Sequence, residues 1–261
     1  MYKRNIIAVI LTVVIFLSAT VLGVSAVYRV DEVRLETQTV SVAAEAEAIQ
    51  LRKKILKRYK DDSIFFADRE KASKALVEFP HFRLISFQKS YPDRLVIKLV
   101  EDAEIFALKK TENEYAILGL DGTLLGVRNA AANRSDGKDN ILVEGLNANG
   151  EKGKVVSGDA LCSSLFVIAK ELDVSLGGIR TNVVKIEVNR PVADESSASF
   201  LLQMVEGVTG SILEPSVKPL EKVRAFLEKY KNLTDADRLT GQIRVFEDTS
   251  GVIQALYTNK I

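Results

Sequence analysis

A run of 24 uncharged residues, 5–28, is the feature that most constrains this chain. As a helix rising about 1.5 Å per residue it would be roughly 36 Å long, enough to cross a hydrocarbon core of about 30 Å. Lys3 and Arg4 precede the run, and no net positive charge follows it. The positive-inside bias therefore predicts a cytoplasmic stub over residues 1–4, a single transmembrane helix over 5–28, and the bulk of the chain outside the cytoplasm.

The same run has a second interpretation, a cleaved signal peptide. Lys3 and Arg4 would form its basic beginning, and Val24-Ser25-Ala26 has small residues where a cleavage site needs them. The apolar stretch is longer than the usual signal-peptide core of about 7–15 residues. We therefore expect a retained anchor, with cleavage after Ala26 as the open alternative.

Composition limits the function of the remaining chain. Roughly 230 residues follow the run, enough for one large domain or two modest ones with real cores. The net charge of +1 does not favour bulk binding of nucleic acid. The single cysteine, Cys162, excludes an internal disulfide and is expected to be a small buried residue.

Residues 29–101 predict a small α+β unit in the order strand, helix, helix, strand, strand. Apolar residues in the first helix recur at spacings of three and four, which places them on one buried face. They are Ala48, Leu51, Ile55 and Tyr59. Asp68 is placed to cap the second helix. In the strand that follows, Ile85 and Phe87 are expected to share one face.

Residues 102–258 predict a second, β-rich domain with flanking helices, followed by a short tail over 259–261. Asp121-Gly122 between two apolar runs is a strong hairpin signal. Asp159 and Pro219 are placed to begin two helices. The domain is expected to close with two strands, Gln242 to Glu247 and Val252 to Tyr257.

The segment 79–101 carries a recognisable pattern. It reads F-P-x-F-x-x-I-x-F-x-K-x-Y-P-D-x-L-x-I-x-L-x-E. This resembles the last two strands of the POTRA domain in the FtsQ/DivIB family of cell-division proteins. The residues that carry the resemblance are Phe79, Pro80, Lys89, Tyr91, Pro92, Leu95 and Glu101. The order of elements and the closing strand pair also resemble that family, whose members have one membrane helix, a POTRA domain and a β domain.

The resemblance implies a non-catalytic, membrane-anchored scaffold of the bacterial divisome, located at the septum. It implies FtsB/DivIC-like and FtsL-like single-span proteins as partners, and neither a cofactor nor a metal. In the family the closing region docks the FtsB/DivIC-type partner. Carried over to this sequence, the partner-binding residues would be Phe246, Ser250, Gly251, Ile253, Ala255 and Tyr257.

Two alternatives remain open. One is a different POTRA-bearing envelope protein that serves export or assembly. The other is a membrane-anchored hydrolase using Ser86 and Lys89, which have the spacing of a serine-lysine pair. That pair requires a helix, whereas the segment reads as a strand, in which residues three apart point to opposite faces. His81, the only histidine, is expected at the surface or in a turn, so we do not expect an enzyme.

A basic run on the outer side of the first helix is the remaining candidate surface. Its members are Arg52, Lys53, Lys54, Lys57, Arg58 and Lys60. Such a run suits anionic lipid headgroups or an acidic partner, and it is equally typical of a solvated helix face.

Overall fold

The computed structural model describes residues 11–20, 23, 27–60, 62–190 and 198–259. The fold is α+β, and the chain separates into two units, Met1–Glu101 and Asp102–Ile261, each with its own apolar core.

The predicted transmembrane helix over 5–28 is wrong. Among the helices in the described ranges, none is both long and apolar enough to cross a membrane. Residues 11–20, 23 and 27 of the predicted span are helical, and 5–10, 21, 22 and 24–26 lie outside the described residues. The stub 1–4, the possible cleavage site at Ala26 and the last two residues of the tail 259–261 lie outside the described residues.

The first unit has the element order that the sequence predicts. Its elements are β1 (Glu32–Gln38), α1 (Val42–Tyr59), α2 (Arg69–Leu76), β2 (Phe82–Ser90) and β3 (Arg94–Glu101). The sheet order is β1-β3-β2, with β1 parallel and β2 antiparallel to the central strand.

Helix α1 begins and packs for reasons visible in its sequence. The Ser41 hydroxyl accepts a hydrogen bond from the backbone N–H of Ala44, which satisfies one donor that a helix start leaves free. The predicted apolar face is confirmed, because Ala48, Leu51, Ile55 and Tyr59 are all buried. Asp68 caps α2 as predicted, accepting from the N–H of Lys71.

Glu101, the last residue of the 79–101 pattern, has a structural role. Its buried carboxylate accepts hydrogen bonds from the N–H of Val40 (2.7 Å), the N–H of Ser41 (3.0 Å) and the hydroxyl of Ser41 (2.7 Å). The end of β3 therefore holds the loop that leads into α1.

One expectation for β2 is wrong. A bulge between Leu84 and Ser86 shifts the register of β2 against β3, so Ile85 is exposed while Phe87 packs against the core. A bulge adds one residue and reverses the side-chain alternation beyond it. His81, expected at the surface or in a turn, lies in the turn before β2 and is buried, with its Nδ1 4.0 Å from a carboxylate oxygen of Glu47.

Tyr59 makes the first unit sensitive to alkali. Burial, with a smaller contribution from the charge of Asp68, raises the pKa of Tyr59 to about 12, whereas an unfolded tyrosine has a pKa of about 10. Between those values the unfolded chain holds fewer protons, so stability falls as the pH rises. We expect a loss of about 2–3 kcal/mol from pH 10 to 12, measured by urea unfolding.

Tyr59→Phe should remove this pH-dependent loss. Tyr230 in the second unit, whose pKa burial also raises to about 12, is the matched comparison, and Tyr230→Phe should leave the first unit's profile unchanged. If Tyr59→Phe loses as much stability as the unchanged protein when the pH rises from about 10 to about 12, the assignment of this loss to Tyr59 is wrong.

The second unit contains a mixed sheet of nine strands. Its strands are β4 (Phe106–Thr111), β5 (Glu114–Leu118), β6 (Leu124–Arg128), β7 (Ile141–Glu144), β8 (Val183–Asn189), β9 (Ser199–Met204), β10 (Thr209–Leu213), β11 (Gln242–Glu247) and β12 (Ile253–Thr258). Their order is β12-β11-β10-β9-β8-β7-β4-β5-β6. The pairs β4–β7, β7–β8 and β10–β11 are parallel and the others antiparallel.

The described residues of the second unit also form the helices α3 (Leu161–Leu176), α4 (Pro219–Lys231) and the short α5 (Asp235–Arg238), with a 3₁₀ turn at Ile179–Thr181. Apolar residues of α3 and α4 join those of the sheet in one core. Asp159 accepts from the N–H of Leu161 at the start of α3, and Pro219 begins α4 as predicted. Cys162 is buried in α3, as expected.

The loop between β6 and β7 is fixed by a buried carboxylate. Glu104, whose side chain is 2 % exposed, is paired with the guanidinium of Arg128 and accepts from the N–H of Arg134 at 2.9 Å. Asn133 donates to the carbonyl of Glu104 (2.8 Å) and to the side-chain oxygen of Asn140 (2.7 Å). This polar stretch is therefore held against the sheet.

Candidate functional site: an open edge of the nine-stranded sheet

The closing strand β12 lies at one edge of the nine-stranded sheet, as expected for a docking strand. An edge strand presents backbone N–H and C=O groups to which another chain can add a strand. At the opposite edge, backbone hydrogen bonds join Leu124 at the start of β6 to Gly153 and Lys154. No comparable cover over β12 occurs among the described residues, so β12 is the more open edge.

β12 presents different side chains on its two faces. Ile253, Ala255 and Tyr257 are partly buried and pack against the core. Leu256, between Ala255 and Tyr257, is 53 % exposed. Successive side chains of a strand point to opposite faces. The three predicted contact residues on this strand therefore share the core-facing side, and the structure adds Leu256 as an outward apolar side chain.

A cleft of about 460 Å³ opens beside β12 on the face of the sheet that carries Leu256. It is lined by Leu213, Glu214, Arg244, Phe246, Glu247, Leu256 and Thr258. The predicted residue Phe246 is thus brought to the cleft. Its lining includes both apolar and charged side chains, which suits an amphipathic segment of another protein.

The strand pairing places a row of side chains across this face. Arg244 is paired with Leu256 on β12 and with Ser211 on β10. Further along the sheet the face is charged and internally paired, because Glu144 binds Lys109 (3.0 Å) and Lys185 (2.6 Å). The hydrogen bonds from these lysines lower the pKa of Glu144.

Two charged residues of the cleft, Arg244 and Glu214, are exposed. Within the described part of the chain no carboxylate lies within ion-pair distance of Arg244, which is therefore available to a ligand. Glu247, in contrast, already accepts from Lys218 Nζ at 2.9 Å, and this hydrogen bond raises the pKa of Lys218. The cleft is therefore suited to a carboxylate from a partner.

Ser250 and Gly251 lie in the turn that joins β11 to β12, and both are exposed. The Asp248 carboxylate accepts from the N–H groups of Ser250 (2.9 Å) and Val252 (3.0 Å), and these bonds help to lower its pKa. Lys218 Nζ also donates to the carbonyl of Gly251 at 3.1 Å. Gly251 has φ of +79°, a conformation that glycine adopts without strain. The turn is fixed before any partner binds.

A buried lysine, which sequence reasoning missed, supports the cleft wall. Lys222 on α4 is fully buried, and its Nζ donates to the carbonyls of Leu213 (2.9 Å) and Glu214 (2.8 Å). Burial lowers the pKa of Lys222. A lysine on an amphipathic helix is ordinarily solvent-exposed, so no sequence signal distinguished this one.

The residues of the 79–101 pattern lie in the first unit. Pro80 and Leu95 are buried, and Phe79 packs against the core. Lys89 Nζ donates to the carbonyl of Phe65 (2.8 Å), and Tyr91 lies near Phe65 in the turn with Pro92. Ser86 and Lys89 are on a strand, as expected, and the amine of Lys89 is engaged elsewhere.

The basic run on α1 is largely solvent-exposed. Arg52, Lys53, Lys57, Arg58 and Lys60 are exposed. Lys54 is half-buried, paired with Glu78, and its Nζ lies 5.8 Å from the centre of the Phe79 ring.

No family model matches this sequence. A search of curated proteins finds no match either. The resemblance to the FtsQ/DivIB family therefore stays a prediction, and the geometry of the sheet edge carries the functional argument.

Proposed function

We propose that this protein is a non-catalytic scaffold of the bacterial cell-division machinery, which binds an FtsB/DivIC-like protein along β12 and works together with an FtsL-like protein. The observation that carries the proposal is the open edge strand β12 beside an apolar cleft with an exposed arginine. The strand, helix, helix, strand, strand order of the first unit supports it. No cofactor or substrate is part of the proposal.

In the proposed complex the partner adds a strand to β12. Main-chain hydrogen bonds along the edge supply much of the affinity, and alternate side chains enter pockets that supply specificity. An apolar partner residue contacts Phe246 and Leu256 in the cleft, and an acidic one pairs with Arg244. The fixed turn at Ser250 and Gly251 lowers the entropic cost of binding because it is already ordered.

Photo-crosslinking from single positions tests the docking edge and identifies the partner. A photoreactive residue replaces Leu256 on β12 in cells, and the matched control replaces Val127 on β6, which is 55 % exposed at the opposite edge of the same sheet. We expect a covalent adduct with the FtsB/DivIC-like protein from position 256 and none from position 127. Export components in the adduct would support the other POTRA-bearing class and contradict the division role.

Leu256→Glu should weaken partner binding about tenfold or more, because it places an unpaired charge in an apolar contact. The side chain is half exposed in the free protein, so the fold is retained and the melting temperature should change little. Val127→Glu is the control and should leave binding unchanged. The affinities are measured by calorimetry with the purified partner. Equal affinities for the two variants would contradict the proposal that β12 is the docking edge.

A further inference from the structure

An exposed aromatic cluster lies in the first unit, away from the proposed docking strand. Tyr28 lies 4.9 Å from Phe65 and 6.3 Å from Tyr91, and Phe65 lies 5.6 Å from Tyr91, measured between ring centres. Phe65 is 50 % exposed, Tyr91 56 % and the neighbouring Phe66 78 %. We call these four residues the aromatic cluster. Contiguous exposed aromatic surface of this kind marks a site of interaction in soluble folds.

The cluster is rigid because three backbone segments hold it. The N–H of Ile64 donates to the carbonyl of Tyr28 at 2.9 Å, and that of Val30 to the carbonyl of Asp62 at 2.8 Å. Lys89 Nζ fixes the carbonyl of Phe65. Phe66 is therefore presented to solvent by an ordered frame, and its exposure needs an explanation other than a loose loop.

Val27, directly before Tyr28 in the chain, adds a further apolar side chain, of which 59 % is exposed.

Cations accompany the aromatic rings. Arg29 follows Tyr28 and is exposed, and Lys60 lies at the end of α1, close in sequence to Phe65. Lys57 and Arg58, in the last turn of α1, are exposed as well. Aromatic rings with an apolar body at headgroup level, flanked by lysine and arginine, are the combination that a lipid interface favours.

We propose that the aromatic cluster is a lipid-contact site, in which Phe66 and its neighbours enter the headgroup region of a phospholipid surface. The site is independent of the β12 edge and adds a second function to the proposed scaffold. Arg29, Lys60 and the basic side of α1 contact lipid phosphates, and the aromatic rings supply the apolar contact.

A single introduced tryptophan tests the site in the full-length chain. The sequence contains no tryptophan, so Phe66→Trp gives the only indole signal and changes an exposed ring into a similar one. The protein is bound to vesicles of phosphatidylcholine and phosphatidylglycerol, with and without brominated acyl chains. Val174→Trp, on α3 of the second unit, is the control, because Val174 is 81 % exposed.

We expect the emission of Phe66→Trp to shift to shorter wavelength on vesicles and to lose about half of its intensity with brominated lipid, since interfacial side chains lie roughly 5–10 Å within the headgroup boundary. Val174→Trp should show neither change. The proposal is overturned if vesicle-bound Phe66→Trp keeps its aqueous emission, or if Val174→Trp is quenched equally. A shift that requires a purified protein partner, and does not occur with lipid alone, also overturns it.

Discussion

Glu104→Ala should lower the free energy of unfolding of the second unit by about 3–5 kcal/mol, the range for breaking a buried ion pair. The carboxylate is 2 % exposed and is shared by Arg128 and Arg134. Its removal takes this carboxylate away from both guanidinium groups. We expect a value near the lower end, because the Arg128 side chain is 29 % exposed and water can replace part of the lost pairing.

Urea unfolding measures this loss, and Glu187→Ala is the matched control. Glu187 pairs with Lys185 at 3.2 Å but is 49 % exposed, so its removal should cost no more than about 1 kcal/mol. The double variant Glu104→Ala, Arg128→Ala should lose less than the sum of the two single changes, because one unpaired charge is removed with the other. Additive losses would show that the two side chains do not act as a pair.

Glu101→Ala should destabilise the first unit by about 3 kcal/mol, since hydrogen bonds to a charged group contribute about 1.5–3 kcal/mol each and are not fully additive. Three donors from Val40 and Ser41 lose their acceptor. Because Ser41 also caps α1, the start of that helix should lose protection from hydrogen exchange before the rest of the unit does.

Glu36→Ala is the control for this change. Glu36 pairs with Lys98 at 3.1 Å, but its side chain is 37 % exposed, so the expected loss is at most about 1 kcal/mol. Glu101→Gln keeps one acceptor oxygen, so its loss of stability should lie between those of Glu101→Ala and Glu36→Ala. Normal protection of α1 in Glu101→Ala would contradict the role assigned to the carboxylate.

The sequence was sufficient to predict those parts of the fold in which local sequence signals agree with the packing. In α1, the spacing of Leu51, Ile55 and Tyr59 identified the buried face, and the order of helices and strands along the first unit followed from local patterns. Asp68 was recognisable as a cap because its side chain acts on a neighbour three residues away. Such signals need no knowledge of distant parts of the chain.

The features that the sequence did not predict depend on how strands distant in the sequence pair with one another. Strands β4 and β7 are parallel neighbours although Phe106 and Ile141 are far apart in sequence, and neither strand was delimited beforehand. The bulge beside Ile85 and the orientation of Leu256 depend on register, which a single strand does not specify. The apolar run 5–28 satisfied a length criterion, but no helix of the described residues is long and apolar enough to cross a membrane.

The open edge at β12 also makes the chain able to pair with copies of itself when it is made in excess. Residues 253–258 contain neither a charged residue nor a proline, the two features that commonly prevent edge strands from pairing with copies of themselves. A chain that lacks a partner on this strand would thus leave it open to pairing with a second copy. In the proposed complex, self-association of the chain would compete with binding of the partner, so synthesis of the two proteins in balance would favour assembly.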